Sequence, residues 1–80
     1  MKAKIHITPK RTIMDAQGQT VQNGLHKLGY AEVKALRIGK YLEMELEGEP
    51  AAAQARVEEM CAKLLANPII EEYRVEIAES

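Results

Sequence analysis

Eighty residues make a single domain, 1–80, and a chain this short buries only about 60% of the surface its unfolded form exposes. Hydrophobic residues at 46% and charged residues at 29% match ordinary globular usage and exclude collagen-like, low-complexity and disordered classes. A formal net charge of -1 gives no electrostatic reason to expect nucleic acid or an anionic membrane as partner, and three Tyr with no Phe or Trp leave an aliphatic core whose modest stability calls for self-association or a larger partner.

Lys2 to Thr8 alternates strictly, Ala3, Ile5 and Ile7 against Lys2, Lys4, His6 and Thr8, which predicts a half-buried strand ended by Pro9. Asp15 is suited to cap a helix through its carboxylate, and Val21, Leu25 and Leu28 recur at i, i+4 and i+7 on one helical face. Gly29 is a natural C-terminal stop. Gly18 and Gly24 inside that helix each cost roughly 1 kcal/mol relative to Ala, a loss that close approach of a neighbouring backbone would offset.

From Val33 to Glu47, Leu36, Ile38, Leu42, Met44 and Leu46 share one parity while Ala35, Arg37, Tyr41, Glu43, Glu45 and Glu47 share the other. A two-residue hairpin loop at Gly39-Lys40 would throw Leu42, Met44 and Leu46 onto the face opposite Leu36 and Ile38. The pattern therefore predicts an odd-length loop, a bulge at Gly39, or one long bent strand. A strand of that length exceeds the usual 3–10 or so residues, and its two parts would then sit in the sheets of different chains, giving an exchanged-segment dimer.

Gly48-Glu49-Pro50 breaks the pattern, and Pro50 fits the first turn of a helix running to about Ala66. Val57, Met60, Cys61, Leu64 and Leu65 supply its apolar stripe. Asn67-Pro68 stops it, and Tyr73, Val75 and Ile77 alternate with Arg74 and Glu76 as a last strand. The order is β-α-β-β-α-β: an α+β sandwich with two helices on one face of a sheet. Residues 1–40 hold eight Lys/Arg against Asp15 and Glu32, and residues 41–80 hold three against ten Glu. Interleaved in one sheet, the halves would pair across strands. No segment approaches the roughly 20 apolar residues of a membrane span, the first residues lack a signal peptide's apolar run, and the one cysteine, Cys61, cannot form an intrachain disulfide; the cytoplasm is the expected compartment.

A catalytic cysteine needs a base within hydrogen-bond reach and an open approach, whereas Cys61 lies on an apolar helical stripe and reads as core. His6 and His26 fall on polar faces without a second ligand at metal spacing. Glu43, Glu45 and Glu47 form a carboxylate row able to hold a divalent cation, but pairing with Lys2, Lys4 or Lys34 is the better expectation. There is no phosphate-cradling glycine motif. Read residue by residue, the chain shows no catalytic site, no metal site and no cofactor site.

Three segments resemble one family, the PurS subunit of phosphoribosylformylglycinamidine synthase. Asp-Ala-Gln-Gly-Gln-Thr-Val at 15–21 is similar to its Asp-Pro-Gln-Gly helix start, with Ala16 in place of Pro. Val-Lys-Ala-Leu-Arg-Ile-Gly-Lys-Tyr-Leu-Glu at 33–43 is similar to its Val-Arg-x-Gly-Lys segment, and Cys-Ala-Lys-Leu-Leu-Ala-Asn-Pro-Ile-Ile-Glu-Glu-Tyr at 61–73 to its Lys-Leu-Leu-Ala-Asn-x-x-Ile-Glu signature. The resemblance implies a dimeric, non-catalytic subunit of de novo purine (IMP) synthesis. It would bridge a PurL ligase subunit and a PurQ glutaminase subunit and assist ammonia transfer, as the complex converts formylglycinamide ribonucleotide to formylglycinamidine ribonucleotide with ATP, Mg and glutamine. Asp15, Gln17, Gly18, Arg37, Gly39, Lys40 and Asn67 match the family's motifs and are the expected partner-contact residues. Arg37 and Lys40 are suited to a partner carboxylate, the competing expectation being cross-strand pairs with Glu43 or Glu45; Asn67 also serves to cap the helix before it. The competing function is a small regulatory α+β module that binds a small molecule.

Overall fold

The computed structural model describes residues 1–78. The elements, in chain order, are β1 (Lys2–Pro9), α1 (Ala16–Lys27), β2 (Lys40–Glu45), α2 (Pro50–Met60), a π-helical turn (Cys61–Leu65) and β3 (Glu71–Ala78). The sheet is antiparallel in the order β2-β1-β3, so the first strand made lies in the middle. Lys2 stands opposite Glu45 on one side and Ala78 on the other, and Ile7 opposite Lys40 and Tyr73.

Period-two alternation in β1 puts Ala3, Ile5 and Ile7 on one face, all fully buried, where Val57 and Cys61 of α2 and its π turn meet them. Leu42, Met44, Tyr73, Val75 and Ile77 from the flanking strands close the cluster. The other face is polar and internally matched. Lys2 Nζ lies 3.3 Å from Glu43 Oε2, Lys4 faces Glu43 and Glu76, and His6 packs against Tyr41 with ring centroids 4.9 Å apart. The basic and acidic halves thus meet across strands as their composition implies. Lys2, ahead of the Tyr41 hydroxyl, holds the Glu43 carboxyl below its ordinary value.

The parity of the central stretch carries through unbroken: Leu36, Ile38, Leu42, Met44 and Leu46 are half-buried, with exposed residues between them. No hairpin turns at Gly39-Lys40. Residues 33–39 form no strand with this chain, so the described residues make a sheet of three hydrogen-bonded strands. Parity reports which way side chains point; it does not report whether a neighbour of the same chain lies alongside.

Helix α1 contributes no side chain to the core cluster. Val21 is 42% exposed and Leu28 75%, so the predicted apolar stripe exists but is uncovered within one chain, and the molecule is elongated, 49 × 27 × 14 Å. Gly29 has φ 103° and Gly48 φ 115°, left-handed values suited to a helix stop and a tight turn. Gly18 has the close neighbour expected of it, but Gly24 has nothing within 4 Å of a built Cβ, so nothing in the chain offsets its helical cost.

Cys61 is buried as expected, and burial, followed by the Glu58 charge, pushes its thiol above the ordinary 9.0; it is protonated at neutral pH and poorly nucleophilic. The α2 stripe departs from expectation at Leu64, which is 83% exposed. Ala66 N–H donates to the Cys61 carbonyl at 2.9 Å, an i→i+5 bond. That wider turn swings Leu65 and Ala66, not Leu64, back over the core.

Candidate interaction site

Asp15 caps α1 as its spacing predicts: Gly18 N–H donates to Oδ1 at 3.0 Å. Its second oxygen does what sequence does not reveal, accepting Ile38 N–H at 2.8 Å. One carboxylate thus ties the helix start to the segment entering β2. Gly18, the one buried residue of α1, lets this happen, because a Cβ there would lie 2.6 Å from the Leu36 carbonyl oxygen and collide with Asp15 itself. The Ile38 and Gly18 N–H groups hold the Asp15 carboxyl below its ordinary 3.8; the Arg37 charge adds to this and desolvation opposes it.

Arg37 corrects the expectation of pairs with Glu43 or Glu45. Its Nη1 donates to the Pro9 carbonyl at 2.6 Å and to Glu72 Oε1 at 3.3 Å, joining the segment to β1 and β3. Glu43 is taken by Lys2. Gly39 lies against the backbone of Ile7, where any Cβ would enter the Ile7 carbonyl oxygen; the glycine is required by crowding, since its φ is not positive. Lys40 is exposed at the start of β2, and Gln17 is exposed in the first turn of α1.

Asn67 does not cap the helix before it. Its Oδ1 accepts Ile69 N–H at 3.1 Å and its carbonyl accepts Glu71 N–H at 2.7 Å, which shapes the turn into β3. Ile70 of that turn accepts from Lys10 N–H at 2.9 Å, so the turn sits beside the end of β1. The structure therefore brings Asp15, Gly18, Arg37 and Gly39 into one junction at one end of the sheet, places Asn67 in the adjoining turn, and leaves Gln17 and Lys40 exposed nearby in sequence. Sequence reasoning missed Glu72, whose pairing with Arg37 spans 35 positions and carries no local signal, and it placed Lys34 with the Glu43–Glu47 row, whereas Lys34 lines, with Arg11 and Arg37, a cleft of 610 Å³ beside the junction. Among the described residues no three His, Cys, Asp or Glu gather to hold a metal ion.

The Asp15 junction has a pH signature. A carboxyl depressed in the fold contributes stability in full well above its unfolded value and loses it as pH falls through the folded value. Asp15→Asn, which can accept only one of the two bonds through its single carbonyl oxygen, is expected to lower the melting temperature at pH 7, with the gap to the parent narrowing as pH drops below about 4. Melting curves across that range check this; a gap that does not change with pH would show that the charge does not stabilise the junction.

A small α+β chain whose motif residues organise backbone at one end of a sheet, beside uncovered apolar surface, has the form of a subunit that presents a surface to other chains. The family model described as PurS, phosphoribosylformylglycinamidine (FGAM) synthase, matches residues 2–79, and the chain belongs to that family. The phosphoribosylformylglycinamidine synthase subunit PurS of Bacillus subtilis (strain 168) is 45% identical over 98% of this chain and 93% of its own length. A solved B. subtilis PurS superposes with a TM-score of 0.87 at 45% identity, covering 98% of both chains. A chain of PurLQS from Thermotoga maritima superposes with a TM-score of 0.73 at 35% identity, covering 94% of this chain and 93% of that one.

Proposed function

We propose that this chain is the small subunit of a phosphoribosylformylglycinamidine synthase complex, joining a PurL-like ligase subunit to a PurQ-like glutaminase subunit. ATP, Mg and glutamine are then used by those partners in converting formylglycinamide ribonucleotide to formylglycinamidine ribonucleotide in the cytoplasm, and this chain steadies the geometry through which ammonia passes. The observation that carries the reading is the near full-length likeness to a chain of PurLQS. Physical support comes from large apolar side chains left exposed, Met14, Leu28, Leu64 and Ile69 at 75–87%, apolar surface that a partner chain would cover. Self-association is part of the reading: a second copy would cover the exposed stripe of α1 and supply the strand partner that residues 33–39 lack in this chain. Among the described residues no helix is long and apolar enough to cross a membrane.

Reconstitution tests it. The purified chain alone is expected to show neither ligase nor glutaminase turnover, and glutamine-dependent synthesis by the two partners is expected only when the chain is added. Full glutamine-dependent activity from the partners without it would overturn the proposal.

A further inference from the structure

Met1 and Leu46 exchange hydrogen bonds, the Leu46 N–H to the Met1 carbonyl at 2.9 Å and the Met1 amine to the Leu46 carbonyl at 3.3 Å. Hydrogen-bonded pairs alternate along an antiparallel ladder. The register of Ala3 with Met44, Ile5 with Leu42 and Ile7 with Lys40 therefore turns the backbone of Lys40, Leu42 and Met44 toward β1 and that of Tyr41, Glu43 and Glu45 away from it. Helix α1 takes over the first side in the residues before β2. Ile38 N–H donates to Asp15 Oδ2 at 2.8 Å, and Gln22 Nε2 donates to the Lys34 carbonyl at 3.3 Å. Between them the Leu36 carbonyl oxygen lies so close to Gly18 that a Cβ there would stand 2.6 Å away. His26 Nε2 lies 2.6 Å from the Val33 carbonyl, which can only accept, so the ring donates. Asp15, Gly18, Gln22 and His26 recur at the three- and four-residue spacing of one helical face, which grips the backbone of residues 33–38 and none of its side chains. The other side is free: among the described residues no hydrogen bond reaches the backbone of Ala35 or Arg37, and β2 is the outermost strand there. Unpaired strand backbone is a template for further strands, so one side of this stretch invites a neighbour and the other is shut.

We propose that α1 is a stop for strand addition: Asp15, Gln22 and His26 occupy residues 33–38 on the side a second copy does not take, so that association ends at a closed pair and does not grow. The number of chains at which it ends rests on the self-association reading; the stop itself does not. Sedimentation of the purified full chain over a dilution series, well below each melting temperature, tests it. Asp15→Ala/Gln22→Ala/His26→Ala is expected to fold, since α1 gives no side chain to the core, and to reach at least twice the parent's mass at the highest concentration. Should that variant lose its circular dichroism, Gln22→Ala/His26→Ala, which keeps the Asp15 cap, decides by the same criterion. Thr20→Gly is the control: it weakens the same helix at an exposed position whose side chain bonds only Ala16, and it is expected to sediment like the parent. Two results would overturn the proposal: a folded multiple variant with the parent's mass, or Thr20→Gly growing as heavy as that variant, which would trace the growth to loss of helix alone. A parent that stays a single chain would end the self-association reading, while the same comparison of masses still judges the stop.

Discussion

Gly39→Ala, and more so Gly39→Val, should destabilise the chain beyond the usual 0.5–3 kcal/mol or so of point substitutions. The obstacle is the Ile7 carbonyl oxygen, into which any Cβ at position 39 would project. A backbone atom in the central strand cannot rotate aside as a side-chain end can. Ile7 also pairs with Lys40 at the start of β2 and with Tyr73 in β3, so relief of the clash would move the middle of the sheet. Urea denaturation with Gly24→Ala as the control checks this. Position 24 faces open space, and Ala there should be neutral or stabilising by up to about 1 kcal/mol. A Gly39→Val chain with the parent's midpoint would show that β1 and the segment entering β2 do not approach this closely.

The second large effect is on assembly. Folding should be coupled to dimerisation, so that the melting temperature climbs with protein concentration by roughly 3–6 °C per tenfold for a 160-residue dimer. The reason lies in what one chain leaves uncovered: the stripe of α1, including Val21 at 42% and Leu28 at 75% exposed, and residues 33–39, which have no strand partner. Packing a second copy over these parts would supply the apolar burial that an 80-residue chain lacks by itself. Melting curves at several concentrations, with mass by light scattering, check it. A monomer mass at micromolar concentration together with a fixed melting temperature would defeat it.

Much of this architecture is legible from spacing alone. The alternation of Ala3, Ile5 and Ile7, the Asp15 cap, Pro50 at a helix start and the stripe through Val57 and Cys61 all find their places, because each depends on a period that neighbours in sequence set. The continuous parity from Leu36 to Leu46 rules out a tight hairpin for the same reason. What spacing does not hold is the identity of distant partners. Glu43 and Glu45 are the expected partners of Arg37, and Glu72 takes it only because β3 lies beside β1. The π turn is hidden as well, since its sequence Cys-Ala-Lys-Leu-Leu fits an α-helix equally well, and so Leu64 reads as core though it faces outward. Of the motif residues, the pairing of Asp15 with Gly18 was visible in their three-residue separation; the link from Asp15 to Ile38 was not.

The central position of β1 also orders events during synthesis. This strand leaves the ribosome before β2 and β3, yet one of its edges waits for β2 and the other for β3, where Lys2 meets Ala78. Until the last strand has been made, Ile5 and Ile7 lie on a segment with an open edge, the kind of surface that recruits wrong neighbours. The β1–β3 pairing joins residues from 62 positions apart, at Pro9 and Glu71, to 76 apart, at Lys2 and Ala78, and long-range pairing of this kind slows folding. A product cut short before Glu71 would keep every buried residue of β1 and lack the strand that shields it.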